Sequence, residues 1–580
     1  MALPSKRIAK LMTHDQPATL DHPAGRRAGR FKPKGRQVDP AALAEVQTLL
    51  AEHPRQPDWL LEHLHRLHDR FGYLSAAHLA ALAHEMGLSQ AAVWEVASFY
   101  HHFTLVKAGE TPPNPLVVRV CDSLSCALRG SAKLLQDLQQ ALGSDVRVIT
   151  APCMGACHQA PVAAKGLEVI PQADVVSVQD VLDGALPNAY LDGVARFDAY
   201  RAADGYRTLQ ALQQSDLKTN TILTKLNKTA LRGLGGAGFP TGRKWGLVRQ
   251  QPGPRYLAVN ADEGEPGTFK DRHYLSTDPH RMLEGMLIAA HVVGVSRAYI
   301  YLRDEYPELH RLLAEELAAV RFAGLADHVE IELRRGAGAY ICGEESSMIE
   351  SIEGKRGLPR QRPPYVAEVG LFGRPTLVNN VETLWWVRDI VEQGADWFND
   401  QGQPGHPGPR SYSVSGQVNR PGVVLAPAGV TVSTLIERCG GMRPGHTFKA
   451  FLPGGASGGI LPASLADVPL DFGGRLQELG CFVGSHAVVV LSDQDDMGEA
   501  ARNLMRFFMH ESCGQCTPCR SGTEKALRLM GAARWDAALL QDLCAVMADA
   551  SICGLGQAAP NPVLSVLKYF PNEAGGEARA

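Results

Sequence analysis

The stretch LRGLGGAGFPTGRKW, Leu231 to Trp245, decides more about this chain than any other. Five of its fifteen residues are glycine, so the backbone can turn sharply and approach a ligand with no Cβ in the way. Arg232, Arg243 and Lys244 frame those glycines with positive charge. Backbone N–H groups facing an anion, with a basic side chain beside them, make a phosphate cradle. The turn at Gly235 and Gly236 is where the backbone would reach the phosphate. A short apolar run, Tyr256 to Asn260, follows as an expected buried strand and leads into ADEGEPG, Ala261 to Gly267.

Carboxylates and amides packed directly after a phosphate loop suit ribityl or ribose hydroxyls and the edge of a ring. Together the two segments read as a site for flavin mononucleotide (FMN). The stretch also contains a G-x-G-x-x-G, at Gly233, Gly235 and Gly238. A dinucleotide fingerprint of the Rossmann type needs a strand before it and a helix after it. Here Thr221 to Leu231 carries apolar residues at helical spacing, and Pro240 follows the glycines. A Rossmann turn and a structural glycine turn without ligand remain as alternatives.

A chain of 580 residues implies roughly three to five domains with ample core. The net charge of -3 argues against nucleic acid or an anionic membrane as main partner. No apolar run approaches the ~20 residues of a membrane span, and no signal-peptide segment is present. Twelve cysteines in so long a chain are too few for a disulfide scaffold, and two groups sit at metal-ligand spacing. That pattern fits a reducing compartment, the cytoplasm.

Cys121 and Cys126 follow an expected strand, Leu116 to Cys121, while Cys153 and Cys157 follow a second one, Val146 to Ile149. A helix from about Ser131 to Leu142 lies between. Four thiolates delivered in pairs from two strand ends can enclose a two-iron cluster; zinc takes the same donors. Cys513, Cys516 and Cys519 form C-x2-C-x2-C, the ferredoxin run that holds a four-iron cluster. Its fourth ligand is Cys553, in the loop SICGLG, or Cys544, in a helical stretch that reads as core.

Other features read as structure. Pro40 to Val106 is helical in pattern, with Leu60, Leu61, Leu64 and Leu67 at spacings of three and four. The eight histidines between His53 and His102 are scattered over these helices without an acidic or thiolate set, so they read as surface and core residues. Gly454 to Gly459 lacks flanking basic residues and reads as a structural loop. Cys342 reads as a small buried residue. The basic segment from Arg26 to Arg36 reads as a solvated tail or as an arm for an acidic partner.

The glycine stretch, with NADEGEPGTFKDR (Asn260–Arg272), GAGAYICGEE (Gly336–Glu345) and NNVET (Asn379–Thr383), resembles the flavoprotein subunit of respiratory complex I. The same module serves as diaphorase in NAD-reducing hydrogenases and NAD-dependent formate dehydrogenases. The resemblance covers about residues 200 to 570. APCMGAC, Ala151 to Cys157, resembles the thioredoxin-like two-iron subunit that accompanies the flavoprotein, here fused into one chain.

The resemblance implies a multidomain α/β protein. Its parts would be a basic tail (1–38), a helical plus thioredoxin-like 2Fe-2S domain (39–170) and a linker (171–205). An α/β FMN- and NAD-binding domain (206–405), a ubiquitin-like, SLBB-type β-rich domain (406–495) and a helical 4Fe-4S domain (496–572) would follow. It also implies that Gly233, Gly235, Lys244, Asn260, Asp262, Glu263, Gly343, Glu344, Asn379 and Asn380 contact the flavin. Phe239, Glu265, Glu345, Arg362 and Tyr365 would line the nicotinamide nucleotide pocket. The family commonly has Lys and Phe where this chain has Arg362 and Tyr365; both changes keep charge and aromaticity. Cys553 matches the family's fourth four-iron ligand.

Nicotinamide exchanges two electrons as hydride, an iron–sulfur cluster passes one at a time, and a flavin does both, which accounts for all three elements in one chain. No residue need act as a proton-transfer catalyst. ESCGQCTPCRS (Glu511–Ser521) and KGRQVD (Lys34–Asp39) most resemble the beta subunit of NAD-dependent formate dehydrogenases. The implied partner is a catalytic molybdenum- or tungsten-dependent formate dehydrogenase alpha subunit that oxidises formate to CO2. A hydrogenase diaphorase is the nearest alternative, and a non-catalytic iron–sulfur scaffold or redox sensor the alternative from another class.

Overall fold

The computed structural model describes residues 36–185, 191–215 and 217–574. The basic segment from Arg26 to Lys34 lies outside the described residues. Four helices come first: α1 (Pro40–Leu50), α2 (Leu60–Phe71), α3 (Ala76–Glu85) and α4 (Gln90–Phe99). Asp39 starts α1 by accepting the Ala42 N–H at 2.9 Å. Leu60, Leu61, Leu64 and Leu67 are all buried, as their spacing requires. The histidines satisfy local partners: His63 meets Pro54 O at 2.7 Å and His78 meets Glu45 at 2.8 Å. Two of them reach the flavin domain, His65 to Gly336 O at 2.7 Å and His102 to Asp304 at 2.6 Å.

The next unit is a four-stranded sheet in the order β2-β1-β3-β4. Its strands are β1 (Val117–Cys121), β2 (Arg147–Ala151), β3 (Ala163–Lys165) and β4 (Glu168–Ile170). Strands β1 and β2 are parallel, joined through α5 (Ser131–Ala141). The linker expected at 171–205 is corrected at both ends. Helix α6 (Val175–Leu182) opens with a capping box between Asp174 and Ser177 and buries Val178 and Val181 in the core of this sheet. A further helix, Phe197–Ala202, buries Tyr200, whose hydroxyl donates to Glu284 at 2.6 Å. Each helix is short, eight and six residues, so neither shows enough turns for a helical period to stand out.

In the flavin domain, α7 (Thr219–Lys228) precedes the glycine loop and α8 (Thr241–Arg249) follows it. A helix, not a strand, feeds the loop, so the Rossmann alternative falls. The sheet is wholly parallel, in the order β8-β5-β6-β7. It consists of β5 (Arg255–Ala261), β6 (Val295–Leu302), β7 (Glu330–Arg335) and β8 (Thr376–Asn380). Helix α9 (Lys270–Thr277) follows β5, and α10 (Glu345–Ile352) follows β7. Ligands of parallel α/β sheets sit outside the carboxyl ends of the strands. Asn260–Glu265, Arg303–Tyr306, Gly336–Glu345 and Asn379–Asn380 all lie at those ends.

The β-rich domain has the strand order β10-β9-β13-β11-β12. These are β9 (Pro409–Gly416), β10 (Gly422–Pro427), β11 (Phe448–Leu452), β12 (Leu461–Pro462) and β13 (Ala487–Ser492), with β9 and β13 parallel. A helical bundle closes the chain: α11 (Met497–Glu511), α12 (Thr517–Leu529), α13 (Ala537–Ala550), α14 (Gly554–Ala558) and α15 (Pro560–Tyr569). The multidomain α/β class expected from the sequence is the class observed. Among the described residues no helix is long and apolar enough to cross a membrane.

Candidate flavin and iron–sulfur sites

The glycine loop closes on itself. Gly233 N–H donates to Phe239 O at 2.9 Å, and Gly238 N–H to Gly233 O at 3.1 Å. Leu234 N–H donates to Thr383 Oγ1 at 2.9 Å, which ties the loop to the end of β8. Gly236 and Gly238 have φ of +125° and +64°, conformations that side chains rarely adopt. A Cβ on Gly238 would lie 2.7 Å from the Phe472 ring, and one on Gly235 3.1 Å from Asn380 Cβ. At Gly236 the nearest heavy atom would be 3.9 Å away. That atom is Gly484 C, so the turn has ordinary contact with the β-rich domain and no clash.

Opposite the loop stand the strand ends. Asn260 Nδ2 donates to Gly343 O at 2.8 Å, while its Oδ1 accepts the Asp262 N–H at 3.1 Å. Asp262 Oδ2 is buried and has no hydrogen-bond partner; burial drives this carboxyl well above the usual carboxylate range. Trp245 Nε1 holds Asn379 Oδ1 at 2.9 Å, and Asn380 Nδ2 holds Asp271 Oδ2 at 2.6 Å. A left-handed glycine turn, a lysine just after it and an orphaned buried carboxyl fit a phosphorylated, hydroxyl-rich cofactor such as FMN.

Not every acid named from the sequence faces that space. Both Glu263 oxygens are engaged, accepting Asp271 N at 2.8 Å, Arg272 N at 3.1 Å and Tyr306 OH at 3.2 Å. Burial pushes its carboxyl up to about 8. Glu265 accepts Ser457 N at 2.8 Å and Ser457 Oγ at 2.6 Å, and also the Tyr340 hydroxyl. The loop Gly454–Gly459 is thus a packing loop that latches the β-rich domain onto the flavin domain. Glu344 caps α10 through Ser346 N at 2.9 Å and Ser347 N at 3.0 Å, and pairs with Arg362. Glu345 is partly exposed, 3.6 Å from Lys244 Nζ and 3.7 Å from Arg362. Phe239 and Tyr365 are exposed at the rim, with the Arg243 guanidinium 5.7 Å from the Phe239 ring centre.

The thiols gather in two places. Cys121, Cys126, Cys153 and Cys157 are all buried, with Cys153 and Cys157 sulfurs 3.3 Å apart. Cys126 is driven up by its hydrogen bond with Cys121, by burial and by the charges of Cys157 and Cys153. Four thiols from two strand ends fit the all-cysteine set of a two-iron cluster. Cys513 and Cys516 lie between α11 and α12, Cys519 in the first turn of α12, and Cys553 caps α14. Burial, then the Cys513 charge, push Cys553 up to about 12. A Cβ on Gly556 would lie 2.8 Å from Cys519 Cβ, so the Cys553 loop folds onto the triplet. Cys544 sits inside α13 with no exposure, raised by burial alone.

Fold and sites together fit the class of electron-transfer proteins that hold a phosphorylated cofactor and two all-cysteine iron–sulfur centres. Four family models match in series. A thioredoxin-like 2Fe-2S ferredoxin spans 46–185, the Nuo51 FMN-binding domain 226–389, an SLBB domain 411–461, and the NADH-ubiquinone oxidoreductase-F iron–sulfur binding region 499–576. The chain is 42% identical over 390 residues to an NADH-quinone oxidoreductase F-type chain of Rhizobium meliloti, covering 64% of this chain and 92% of that one. With the F-type chain of the Aquifex aeolicus NADH-quinone oxidoreductase it shares 38% over 413 residues, 69% and 95% of the two chains. This chain belongs to the family of complex I flavoprotein subunits, with a thioredoxin-like 2Fe-2S domain joined to it. A chain of an NAD+-reducing [NiFe]-hydrogenase in the H2-reduced state superposes with TM-score 0.78 and 33% identity over 90% of this chain and 93% of that one. The air-oxidized form of such an enzyme gives 0.76, at 33% identity over 90% and 94%.

Sequence reasoning passed over Thr383, Tyr340 and Phe472. The first two stand inside motifs already quoted, and only their contacts reveal their roles. Nothing local marks Phe472, which arrives from another domain.

Proposed function

We propose that this chain is the diaphorase subunit of an NAD-dependent formate dehydrogenase, passing electrons between its clusters and NAD+/NADH. A molybdenum- or tungsten-dependent alpha subunit would oxidise formate to CO2 and feed the clusters, in the cytoplasm. The observation that carries the NAD-linked part is the orphaned buried Asp262 carboxyl at the end of β5, within one chain that also holds the left-handed glycine turn at Gly236 and both thiol sets. The formate part is supported by the motif around Cys513, Cys516 and Cys519.

In this reading, backbone N–H groups of Gly235 and Gly236 bind the flavin phosphate, Gly233 N–H closes the loop through Phe239 O, and Lys244 balances the charge. Asn260, Asp262, Gly343, Asn379 and Asn380 orient the ribityl chain and ring, while Glu263 and Glu344 hold the backbone of α9 and α10 in place. Phe239, Glu345, Arg362 and Tyr365 receive the nicotinamide nucleotide, and Glu265 secures the wall beside it. FMN, when bound, takes or gives hydride on one side and single electrons on the other. The ligand sets are Cys121, Cys126, Cys153 and Cys157 for the 2Fe-2S cluster, and Cys513, Cys516, Cys519 and Cys553 for the 4Fe-4S cluster.

Glu345 sets the choice of nucleotide, since a 2′-phosphate beside it would meet like charge. NADH should be oxidised in preference to NADPH, and Glu345→Gln should narrow the ratio of their kcat/KM values. A measured preference for NADPH in the unaltered chain would contradict the pocket. The second reading, a hydrogenase diaphorase, is favoured by the TM-score of 0.78 over nearly the whole chain. Purifying the native complex decides between them. Formate-driven NAD+ reduction is expected; hydrogen-driven reduction without formate activity would replace the formate assignment with the hydrogenase one.

A further inference from the structure

The loop that carries Cys153 and Cys157 rests on side chains of the flavin domain. Arg303, just past β6, donates from Nη2 to Cys153 O at 2.6 Å, and also holds Glu263 O. Arg272, in α9, donates from Nη1 to Gly155 O at 3.4 Å. Both are buried, at 4% and 3% exposure. The Tyr306 ring lies close to both guanidinium groups, its centre 5.1 Å from Arg303 Cζ and 4.9 Å from Arg272 Cζ. A Cβ on Gly155 would come 2.0 Å from the Tyr306 hydroxyl, so the loop is seated flush on this stack. Within the loop, Gly155 N–H donates to the Cys153 sulfur at 3.5 Å. The counter-charges bond to the guanidinium groups: Glu305 meets Arg303 at 2.8 Å and Glu308 meets Arg272 at 2.6 Å.

We propose that Arg303 and Arg272 are positioning residues that raise the reduction potential of the two-iron cluster. One-electron reduction adds one negative charge to a cluster held by four thiolates. Cluster potentials follow net charge, hydrogen bonds to sulfur and solvent exposure. Each guanidinium is paired with a carboxylate, but it is the guanidinium that bonds to the ligand loop, so its positive end stabilises the added charge where little water screens it. The two-iron domain is therefore tuned by the domain with which it exchanges electrons, through contacts that a free two-iron protein would lack. The inference rests on Cys121, Cys126, Cys153 and Cys157 being the ligands.

The test is a redox titration of the full, cluster-loaded chain, read by electron paramagnetic resonance of both clusters. In Arg303→Gln and in Arg272→Gln, the ratio of reduced to oxidised two-iron cluster at a fixed potential should fall on the order of tenfold, which is about 59 mV for a one-electron couple. Arg303→Lys and Arg272→Lys should restore most of that ratio, and the four-iron midpoint should not move. If Arg303→Gln fails to assemble because Glu305 is left buried without its partner, the Arg272 pair answers alone. An unchanged two-iron midpoint in the glutamine variants would overturn the inference, as would lysine variants that fall as far as the glutamine ones. Absence of any two-iron signal from the unaltered chain would overturn it at the earlier step, the ligand assignment.

Discussion

Gly236→Val should purify with both iron–sulfur clusters and without stoichiometric FMN. The residue has φ +125°, where a β-branched side chain is strained by about 1–3 kcal/mol. That strain alone corresponds to a roughly 5- to 150-fold lower population of the loop conformation that would hold the phosphate. The added methyl groups also crowd the turn, where a Cβ would already touch Gly484 C at 3.9 Å. Gly238→Ala would be a different experiment, because its Cβ collides with Phe472 at 2.7 Å and disturbs packing against the β-rich domain. The cluster ligands come from other elements, so their signals should survive Gly236→Val. Visible absorbance and the flavin-to-protein ratio check the outcome. Full FMN occupancy in the variant would remove the loop from the site.

Cys553→Ala should abolish the four-iron signal, and Cys544→Ala should leave it. The two cysteines are close in sequence, but Cys553 caps α14 beside Cys513 and Cys519 while Cys544 is sealed inside α13. Losing a ligand removes one of four thiolates and with it the cluster. Losing Cys544 leaves a cavity of about one atom, which costs on the order of 1 kcal/mol of stability and no iron. Iron content and electron paramagnetic resonance separate the two. The reverse pattern would make Cys544 the fourth ligand.

Elements with strong periodicity are legible in the residues alone. The strand at Tyr256–Asn260, the leucine-spaced helices and the helix before the glycine loop all stand where the pattern puts them. The ground for setting the Rossmann fingerprint aside holds as well, since apolar spacing in Thr221–Leu231 is helical. Helix α6 reads as linker because it is only eight residues long, although Val175, Val178, Val181 and Leu182 all pack on the sheet. The candidate site is legible as a set of segments and not as a set of contacts. Nothing in ADEGEPG says that Glu263 turns back to cap α9, or that Glu265 is held by Ser457 from another domain. Arg303 and Arg272 carry no local signal either. Their role depends on a loop about 120 to 150 positions earlier, and only the packing of one domain on another brings them together.

The proposed route takes electrons from NADH through a flavin to the clusters of the same chain. Anaerobic addition of NADH to the purified full-length chain, followed by flavin absorbance and electron paramagnetic resonance in the same sample, tests it most directly. The flavin should bleach and a cluster signal should appear with NADH, and formate should do neither in the absence of its catalytic partner. Bleaching with no cluster reduced would contradict the claim.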